Sequence, residues 1–134
     1  MILNVFTDGG SRGNPGLSGY GVIVKSDQKT IYRESKALGI KTNNEAEYYA
    51  LISALSWIVQ EKPSAEKIIF HSDSELVIRQ VQRIYKMKAQ NLKPLLDQVT
   101  SLLSRLYLPY EFKNIPRELN TDADKLANQA MDKL

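Results

Sequence analysis

The sequence predicts an α/β fold in which helices cover both faces of a mixed five-stranded sheet, in the order βββ-α-β-α-α-β-α. The first observation is a change of pattern: the chain is β-rich up to about residue 38, and from residue 44 apolar residues recur at helical spacing. The second is that strand-like and helix-like segments alternate after that point, as in α/β domains. The 134 residues contain no repeat or linker, so we expect a single domain over residues 1–134.

Three β-rich runs open the chain, at residues 2–7, 20–25 and 30–38, and predict an antiparallel meander. The segment between the first two runs starts with Asp8, Gly9 and Gly10 and stays rich in glycine up to residue 16. This composition predicts a turn that ends the first strand at Thr7.

The first helix is predicted over residues 44–60, where apolar side chains fall on one face. Thr42 is the predicted N-cap and Glu45 the third helical residue, the arrangement of a capping box. Pro63 ends this helical region.

The remaining elements follow from the same two periodicities. They are a strand at 67–71, a helix at 75–86, a helix at 92–106 with Pro94 in its first turn, a strand at 110–115 and a helix at 120–134.

The charge balance permits a polyanionic partner without requiring one, because 18 Lys and Arg residues outnumber 15 Asp and Glu residues for a net charge of +3. The absence of cysteine excludes disulfides, thiolate zinc sites and cysteine nucleophiles. The first residues do not read as a signal peptide, and no apolar run reaches membrane-spanning length. We therefore expect a cytoplasmic protein that binds no membrane.

Four carboxylates occupy informative places. Asp8 and Asp73 each end a predicted strand, and crevices beyond strand ends are where open α/β sheets bind ligands. Glu47 and Asp124 fall on the core-facing stripes of their predicted helices, where an unpaired charge is costly to bury.

Divalent cations would resolve the repulsion among four such groups, since hard metals take oxygen ligands. Four carboxylates are the ligand set expected for a two-magnesium site that acts on a phosphodiester. The alternative is a set of helix caps and surface acids that binds no metal. Glu45 and Asp122 are left out of the candidate site, because a capping box and a helix dipole explain them.

Four segments of the chain resemble, in order and in strand–helix context, the sequence blocks of type 1 ribonuclease H. They are residues 6–16 (FTDGGSRGNPG, followed by Gly-Tyr-Gly at 19–21), 42–47 (TNNEAE), 72–74 (SDS) and 122–128 (DADKLAN). The resemblance spans the whole chain and implies the ribonuclease H-like fold. A single Thr-Asp-Gly would be a weak signal, whereas four blocks in register are specific.

The resemblance implies an endoribonuclease that cleaves the RNA strand of an RNA–DNA hybrid and leaves 5′-phosphate and 3′-hydroxyl ends. Asp8, Glu47, Asp73 and Asp124 match the four metal-binding catalytic carboxylates of the family. The implied cofactor is Mg²⁺, two ions per site, with Mn²⁺ as a substitute. One ion would activate the attacking water and the other would stabilise the leaving 3′ oxygen.

The resemblance also implies substrate contacts. Asn14 and Asn43 match positions that contact the hybrid in its minor groove, where RNA displays its 2′-hydroxyls, and the Gly13 backbone lies beside them. Thr42 matches a residue of the pocket for a DNA-strand phosphate. The alternative for these residues is turn and helix-cap chemistry, which is compatible with binding.

The chain departs from the family pattern in two places. Many members carry a histidine in the loop before the fourth carboxylate, whereas this loop holds Arg117, which either takes a phosphate-directed role or is a solvated arginine. The basic, tryptophan-bearing insertion of several members is reduced to residues 79–93, as in the compact branch of archaea and some bacteria. Within it, Arg79, Arg83 and Lys86 are predicted on one helical stripe, either for phosphate contacts or as a solvated face.

Three activities remain open from the sequence. The first is cleavage of RNA–DNA hybrids by a monomer. The second is a nuclease that uses the same site on double-stranded RNA or RNA–DNA junctions. The third is a non-catalytic hybrid-binding module, against which the intact carboxylates of all four blocks argue.

Overall fold

The computed structural model describes residues 1–133. It contains five strands and four α-helices in the predicted order, with a short 3-10 helix, Arg117–Leu119, before the last α-helix. The strands are β1 (Ile2–Arg12), β2 (Gly16–Ser26), β3 (Lys29–Lys41), β4 (Lys67–Ser72) and β5 (Tyr110–Asn114). The helices are α1 (Asn43–Glu61), α2 (Glu75–Val81), α3 (Lys93–Leu103) and α4 (Thr121–Asp132).

The strands form one mixed sheet in the order β3-β2-β1-β4-β5, which confirms the predicted fold class. The first three strands pair antiparallel, as the meander predicted, while β4 and β5 run parallel to β1. The parallel strands are joined through helices, because such a connection needs a crossover rather than a hairpin. The first strand therefore lies at the centre of the sheet, with neighbours on both sides.

The helices lie on both faces of the sheet, and β2 shows how. Val22 and Val24 are fully buried in the main core, which also contains residues of α1 and α3. Gly21, the residue before Val22, faces the opposite side of the sheet, under α4. A Cβ atom at Gly21 would come within 2.3 Å of the carbonyl oxygen of Ala123, so this glycine lets α4 approach the sheet closely.

The predicted turn after Thr7 is wrong, because β1 continues to Arg12 and pairs with β2 over its whole length. Gly9 has a different role from the one predicted. A Cβ atom there would lie 2.3 Å from the backbone carbon of Ala46, so the glycine allows α1 to pack directly on the strand. Asp8 consequently lies within the central strand and not at its end.

The predicted helix over residues 75–86 is too long, since α2 ends at Val81. Arg83 adopts a left-handed conformation with φ of +66°. The backbone N–H groups of Ile84 and Tyr85 both bond to the carbonyl of Arg79 and close the end of the helix. The predicted stripe of Arg79, Arg83 and Lys86 is therefore wrong, because only the first of them lies on the helix.

The helix starts follow the sequence closely. Thr42 and Glu45 form the predicted capping box of α1, with the Thr42 hydroxyl accepting from the Glu45 N–H at 3.1 Å. Pro94 lies in the first turn of α3. The predicted helix end at Leu134 lies outside the described residues. Within residues 1–133, no helix is long and apolar enough to cross a membrane.

Candidate functional site

Three of the four predicted carboxylates meet at the middle of the sheet. Asp8, Glu47 and Asp73 each offer an oxygen atom, and these atoms lie within 4.8 Å of one another. They come from β1, from the first turns of α1 and from the residue that follows β4. Segments far apart in the sequence thus supply one cluster of acidic oxygens.

The position of Glu47 depends on the close contact between α1 and β1. Its side chain is only 7% exposed, and its Oε1 accepts a hydrogen bond of 2.6 Å from the backbone N–H of Gly9. That contact is possible because Gly9 has no Cβ atom to push the helix away. Glu45 instead bonds the Thr42 N–H at 2.8 Å, which agrees with its assignment to the cap.

Asp124 joins the cluster from the opposite face of the sheet. It lies in the first turn of α4, its carboxyl group helps to raise the pKa of Asp8, and it lines the same cavity as the other three acids. Among residues 1–133, the group whose oxygen atoms all lie within 4.8 Å of one another consists of the other three carboxylates, without Asp124. All four candidate ligands nevertheless face one open cavity of about 930 Å³.

Without a cation, burial and repulsion between the acids disfavour the ionised forms of Asp8 and Glu47. Burial, the charge of Asp73 and the neighbouring Asp124 raise the pKa of Asp8 from 3.8 to about 8. Burial and the charges of Asp8 and Asp73 also raise the pKa of Glu47 well above its ordinary value, against the opposing effect of the Gly9 N–H. Protons or a cation must therefore balance the charge, and an all-oxygen donor set suits Mg²⁺ or Mn²⁺.

The predicted substrate residues of the first loop and of the α1 start lie beside one another. The side-chain oxygen of Asn14 accepts from the Asn43 backbone N–H at 3.0 Å, and that of Asn43 accepts from the Ser11 N–H at 3.2 Å. Gly13 has φ of +103°, which shapes the loop between them. Thr42 caps α1, so the cap interpretation of this residue holds in the structure.

The structure places the predicted basic residues in three different surroundings. Arg117 is exposed, and its Nε lies 3.9 Å from Oδ2 of Asp73, at the edge of the carboxylate cavity. Arg79 pairs with Glu75 at 4.0 Å on α2. Arg83 and Lys86 line a separate cavity of about 350 Å³.

Arg12 lines the carboxylate cavity but was not among the predicted site residues. It pairs with Asp132 at 2.5 Å and donates to Asn128 at 3.4 Å, both on α4. A strand that runs to Arg12 places it on the same face as Asp8, by the two-residue period of strands. Because the predicted turn ends the strand at Thr7, the two-residue period could not be extended from Asp8 to Arg12 on the sequence alone.

Comparisons with known proteins show the family of the chain. The model of the reverse transcriptase-like family matches residues 6–130. The bifunctional protein Rv2228c of Mycobacterium tuberculosis is 45% identical over 135 aligned positions, which cover 98% of this chain and 36% of that protein. The chain thus spans about a third of the length of this relative.

Two solved structures match nearly the whole chain. RNase H1 from the archaeon Halobacterium salinarum superposes with a TM-score of 0.91 at 31% identity, covering 100% of both chains. LC11-RNase H1, a protein isolated from compost and solved in complex with an RNA/DNA hybrid, superposes with a TM-score of 0.90 at 38% identity, covering 98% of this chain and 97% of that one.

Proposed function

The chain belongs to the reverse transcriptase-like family, and from this membership and its carboxylate cluster we propose that it is an endoribonuclease of the ribonuclease H type. The substrate is the RNA strand of an RNA–DNA hybrid, and the products carry 5′-phosphate and 3′-hydroxyl ends. The observation that carries the proposal is the set of four acids around one cavity, in a fold that matches an RNase H1 solved with a hybrid. Residues 1–134 would form the catalytic domain.

The proposed ligands of two Mg²⁺ ions are Asp8, Glu47, Asp73 and Asp124, and Mn²⁺ can take their place. Bound metal would supply an activated water and charge stabilisation at the scissile phosphate. The chain's own contribution is to hold the four acids in a fixed arrangement before metal arrives. The Gly9 N–H fixes one oxygen of Glu47, and the sheet holds Asp8 at its centre.

The hybrid would be recognised at the loop where Asn14 and Asn43 meet. Each uses its side-chain oxygen for an internal hydrogen bond, so its NH₂ group is the part left to donate to a 2′-hydroxyl. Only the RNA strand carries this group, and it lies in the wide minor groove of the hybrid. The Gly13 backbone would contact the same groove, and Thr42 would bind a phosphate of the DNA strand beside its capping role.

The basic residues would contact the phosphate backbone. Arg117, whose Nε lies 3.9 Å from Oδ2 of Asp73, would contact a phosphate near the reacting bond. Arg83 and Lys86 line their own cavity and would contact phosphates further along the duplex, with Arg79 beside them on α2. We also propose that the protein is a cytoplasmic monomer.

A comparison of three substrates tests this proposal. Labelled RNA–DNA hybrid, RNA duplex and RNA–DNA junction are incubated with the protein in Mg²⁺, in Mn²⁺ and in a chelator. We expect metal-dependent cleavage of the RNA strand of the hybrid, with the other two substrates cut more slowly. Faster cleavage of the RNA duplex or the junction would favour the broader nuclease. Hybrid binding without cleavage in either metal would favour the non-catalytic module and overturn the proposal.

A further inference from the structure

We propose that Asn120 is a positioning residue that sets the place of Asp124 relative to Asp8, an inference that rests on the proposed function. Asn120 immediately precedes α4, and only 1% of its surface is exposed. Its side-chain nitrogen donates a hydrogen bond of 2.9 Å to the backbone carbonyl of Thr7. That carbonyl belongs to the strand residue directly before Asp8. The side chain therefore ties the start of α4 to the central strand beside the acids.

The hydrogen bonds of Asn120 are not those of an ordinary helix cap. Asparagine is favoured at this position because its side-chain oxygen can accept from the first N–H groups of the helix. Here the side chain makes no capping hydrogen bond. Its Oδ1 is buried and has no hydrogen-bond partner among residues 1–133. Buried polar atoms are nearly always paired, so an asparagine whose oxygen stays unpaired carries a cost. The hydrogen bond that its side chain does make is the one it donates to the strand.

The first turn of α4 is held against the sheet at the level of Asp8. Gly21 pairs with Asp8 across the β1–β2 ladder. A Cβ atom at Gly21 would lie only 2.3 Å from the carbonyl oxygen of Ala123. The Asp124 N–H bonds to the Asn120 carbonyl at 3.1 Å, so the carboxylate and the tether belong to one turn. A shift of Asn120 would carry Asp124 with it, away from the cavity that it shares with Asp8.

Loss of this tether should weaken metal binding more than substrate binding. Removal of a group that orients a metal ligand typically costs about 10–100-fold in affinity or activity. We expect Asn120→Ala to raise the Kd for Mg²⁺ by about 10-fold and to lower kcat at limiting Mg²⁺. The KM for the hybrid should stay unchanged, because none of the predicted substrate residues lies on α4.

Ser35 offers a matched control. Its hydroxyl donates to the carbonyl of Leu126 at 2.5 Å, so it also ties α4 to the sheet. This bond reaches α4 from β3 and beyond the first turn of the helix. Ser35→Ala therefore loosens the same helix without releasing its start, and we expect its Kd for Mg²⁺ to equal that of the wild type.

The experiment is a calorimetric titration of Mg²⁺ into the full chain, with kcat and KM for hybrid cleavage measured on the same samples. The variants are Asn120→Ala, Asn120→Ser, Ser35→Ala and Asp124→Asn, the last giving the effect of losing the ligand itself. Asn120→Ser keeps a donor on a shorter side chain and should fall between alanine and wild type. It also carries the test if the alanine variant does not fold.

Weaker Mg²⁺ binding in the Asn120 variants, as in Asp124→Asn, with wild-type binding by Ser35→Ala, would support the inference. Wild-type affinity in both of them would overturn it, and so would an equal loss in Ser35→Ala, which would indicate general loosening of α4. Failure of both Asn120 variants to fold would also overturn it, by assigning the residue to folding. If the wild type itself neither binds Mg²⁺ nor cleaves the hybrid, the proposed function fails first.

Discussion

Glu34 and Asp8 are carboxylates on neighbouring parts of the same sheet, and their surroundings differ. Glu34, on β3, accepts hydrogen bonds from the hydroxyls of Ser53 at 2.6 Å, Tyr32 at 3.0 Å and Tyr20. Burial opposes its ionisation, but these three bonds and the charge of Lys36 together outweigh burial and lower its pKa. The charge of Glu34 is therefore satisfied by the protein itself.

Asp8 has acids where Glu34 has hydroxyls. Its neighbours Asp73 and Asp124 add to the effect of burial, and its pKa rises to about 8. The contrast separates a structural carboxylate, whose charge is satisfied by protein donors, from the proposed metal ligand, which lies among other acids. Burial is common to both, so the kind of neighbour makes the difference.

The largest expected effect comes from replacing the carboxylate of Asp8 or of Asp73 by an amide. Asp8→Asn and Asp73→Asn should each lower hybrid cleavage by more than about 100-fold, since loss of a direct ligand exceeds the cost of losing an orienting group. Hybrid binding, measured by gel shift in a chelator, should survive. Above pH 8 in a chelator, the Asp8→Asn variant should be thermally more stable than the wild type, because the native carboxylate is ionised there and its repulsion by the neighbouring acids is removed.

Glu34→Gln is the counterpart of these variants. It should leave cleavage unchanged and lower the free energy of unfolding by about 1–3 kcal/mol, because an ionised acceptor of three hydroxyls is lost. Denaturant unfolding measures this change. An inactive but stable Glu34→Gln variant would contradict the distinction between the structural carboxylate Glu34 and the acid cluster around Asp8.

The next effect compares two glutamates on one helix. Glu47→Gln should inactivate the enzyme, whereas Glu45→Gln should remain active, because glutamine can still complete the capping box. Cleavage rates of the two variants measured side by side check this, with unfolding curves to show that both are folded. The opposite ranking would move the candidate ligand from one glutamate to the other.

The contributions of Asp8 and Glu34 to the stability of the fold should also depend on pH in opposite directions. The folded-state pKa of Asp8, about 8, lies above the ordinary value of 3.8, so the metal-free protein loses stability as the pH rises between these values. One such proton accounts for about 1.4 kcal/mol per pH unit at most. Glu34, with a lowered pKa, stabilises the fold above its ordinary value of 4.5, and this contribution is lost as the pH falls through its folded pKa.

Thermal unfolding across this pH range, with and without Mg²⁺, measures the difference. We expect Tm in the chelator to fall as the pH rises, and Mg²⁺ to remove most of that fall. Asp8→Asn should show a flatter profile in the chelator, and a wild-type profile in this variant would contradict the assignment.

The smallest expected effect concerns Arg117, at the edge of the acid cluster. Arg117→Ala should weaken hybrid binding and reduce the salt dependence of log K by about one unit of slope, as for one phosphate contact. Binding measured at several salt concentrations checks this. An unchanged slope would identify Arg117 as a solvated arginine.

The sequence was sufficient for the order of the elements because the periodicity changes where the secondary structure changes. It also placed Glu47 and Asp124 on core-facing helix stripes, and the structure puts both at the cavity that Asp8 lines. It failed at Gly9, where glycine serves a close approach of α1 and not a turn. Local sequence cannot distinguish these uses, because the approaching residue, Ala46, is remote in the chain.

The basic segment failed for a related reason. Residues after Val81 have no strong helix breaker, yet α2 ends there and Arg83 turns left-handed. The end is set by backbone bonds to Arg79 and by contacts with α3, including the bond from Arg83 to Thr100 at 3.1 Å. Such tertiary contacts override a helical pattern that extends further along the chain.

The most direct test of the contrast between the two clusters is a calorimetric titration of Mg²⁺ into the wild type, Asp8→Asn and Glu34→Gln under identical conditions. The wild type and Glu34→Gln should bind Mg²⁺ with the same affinity, and Asp8→Asn should bind it more than about 100-fold more weakly. Equal binding by Asp8→Asn and the wild type, or no binding by the wild type, would contradict the assignment of this cluster as a metal site.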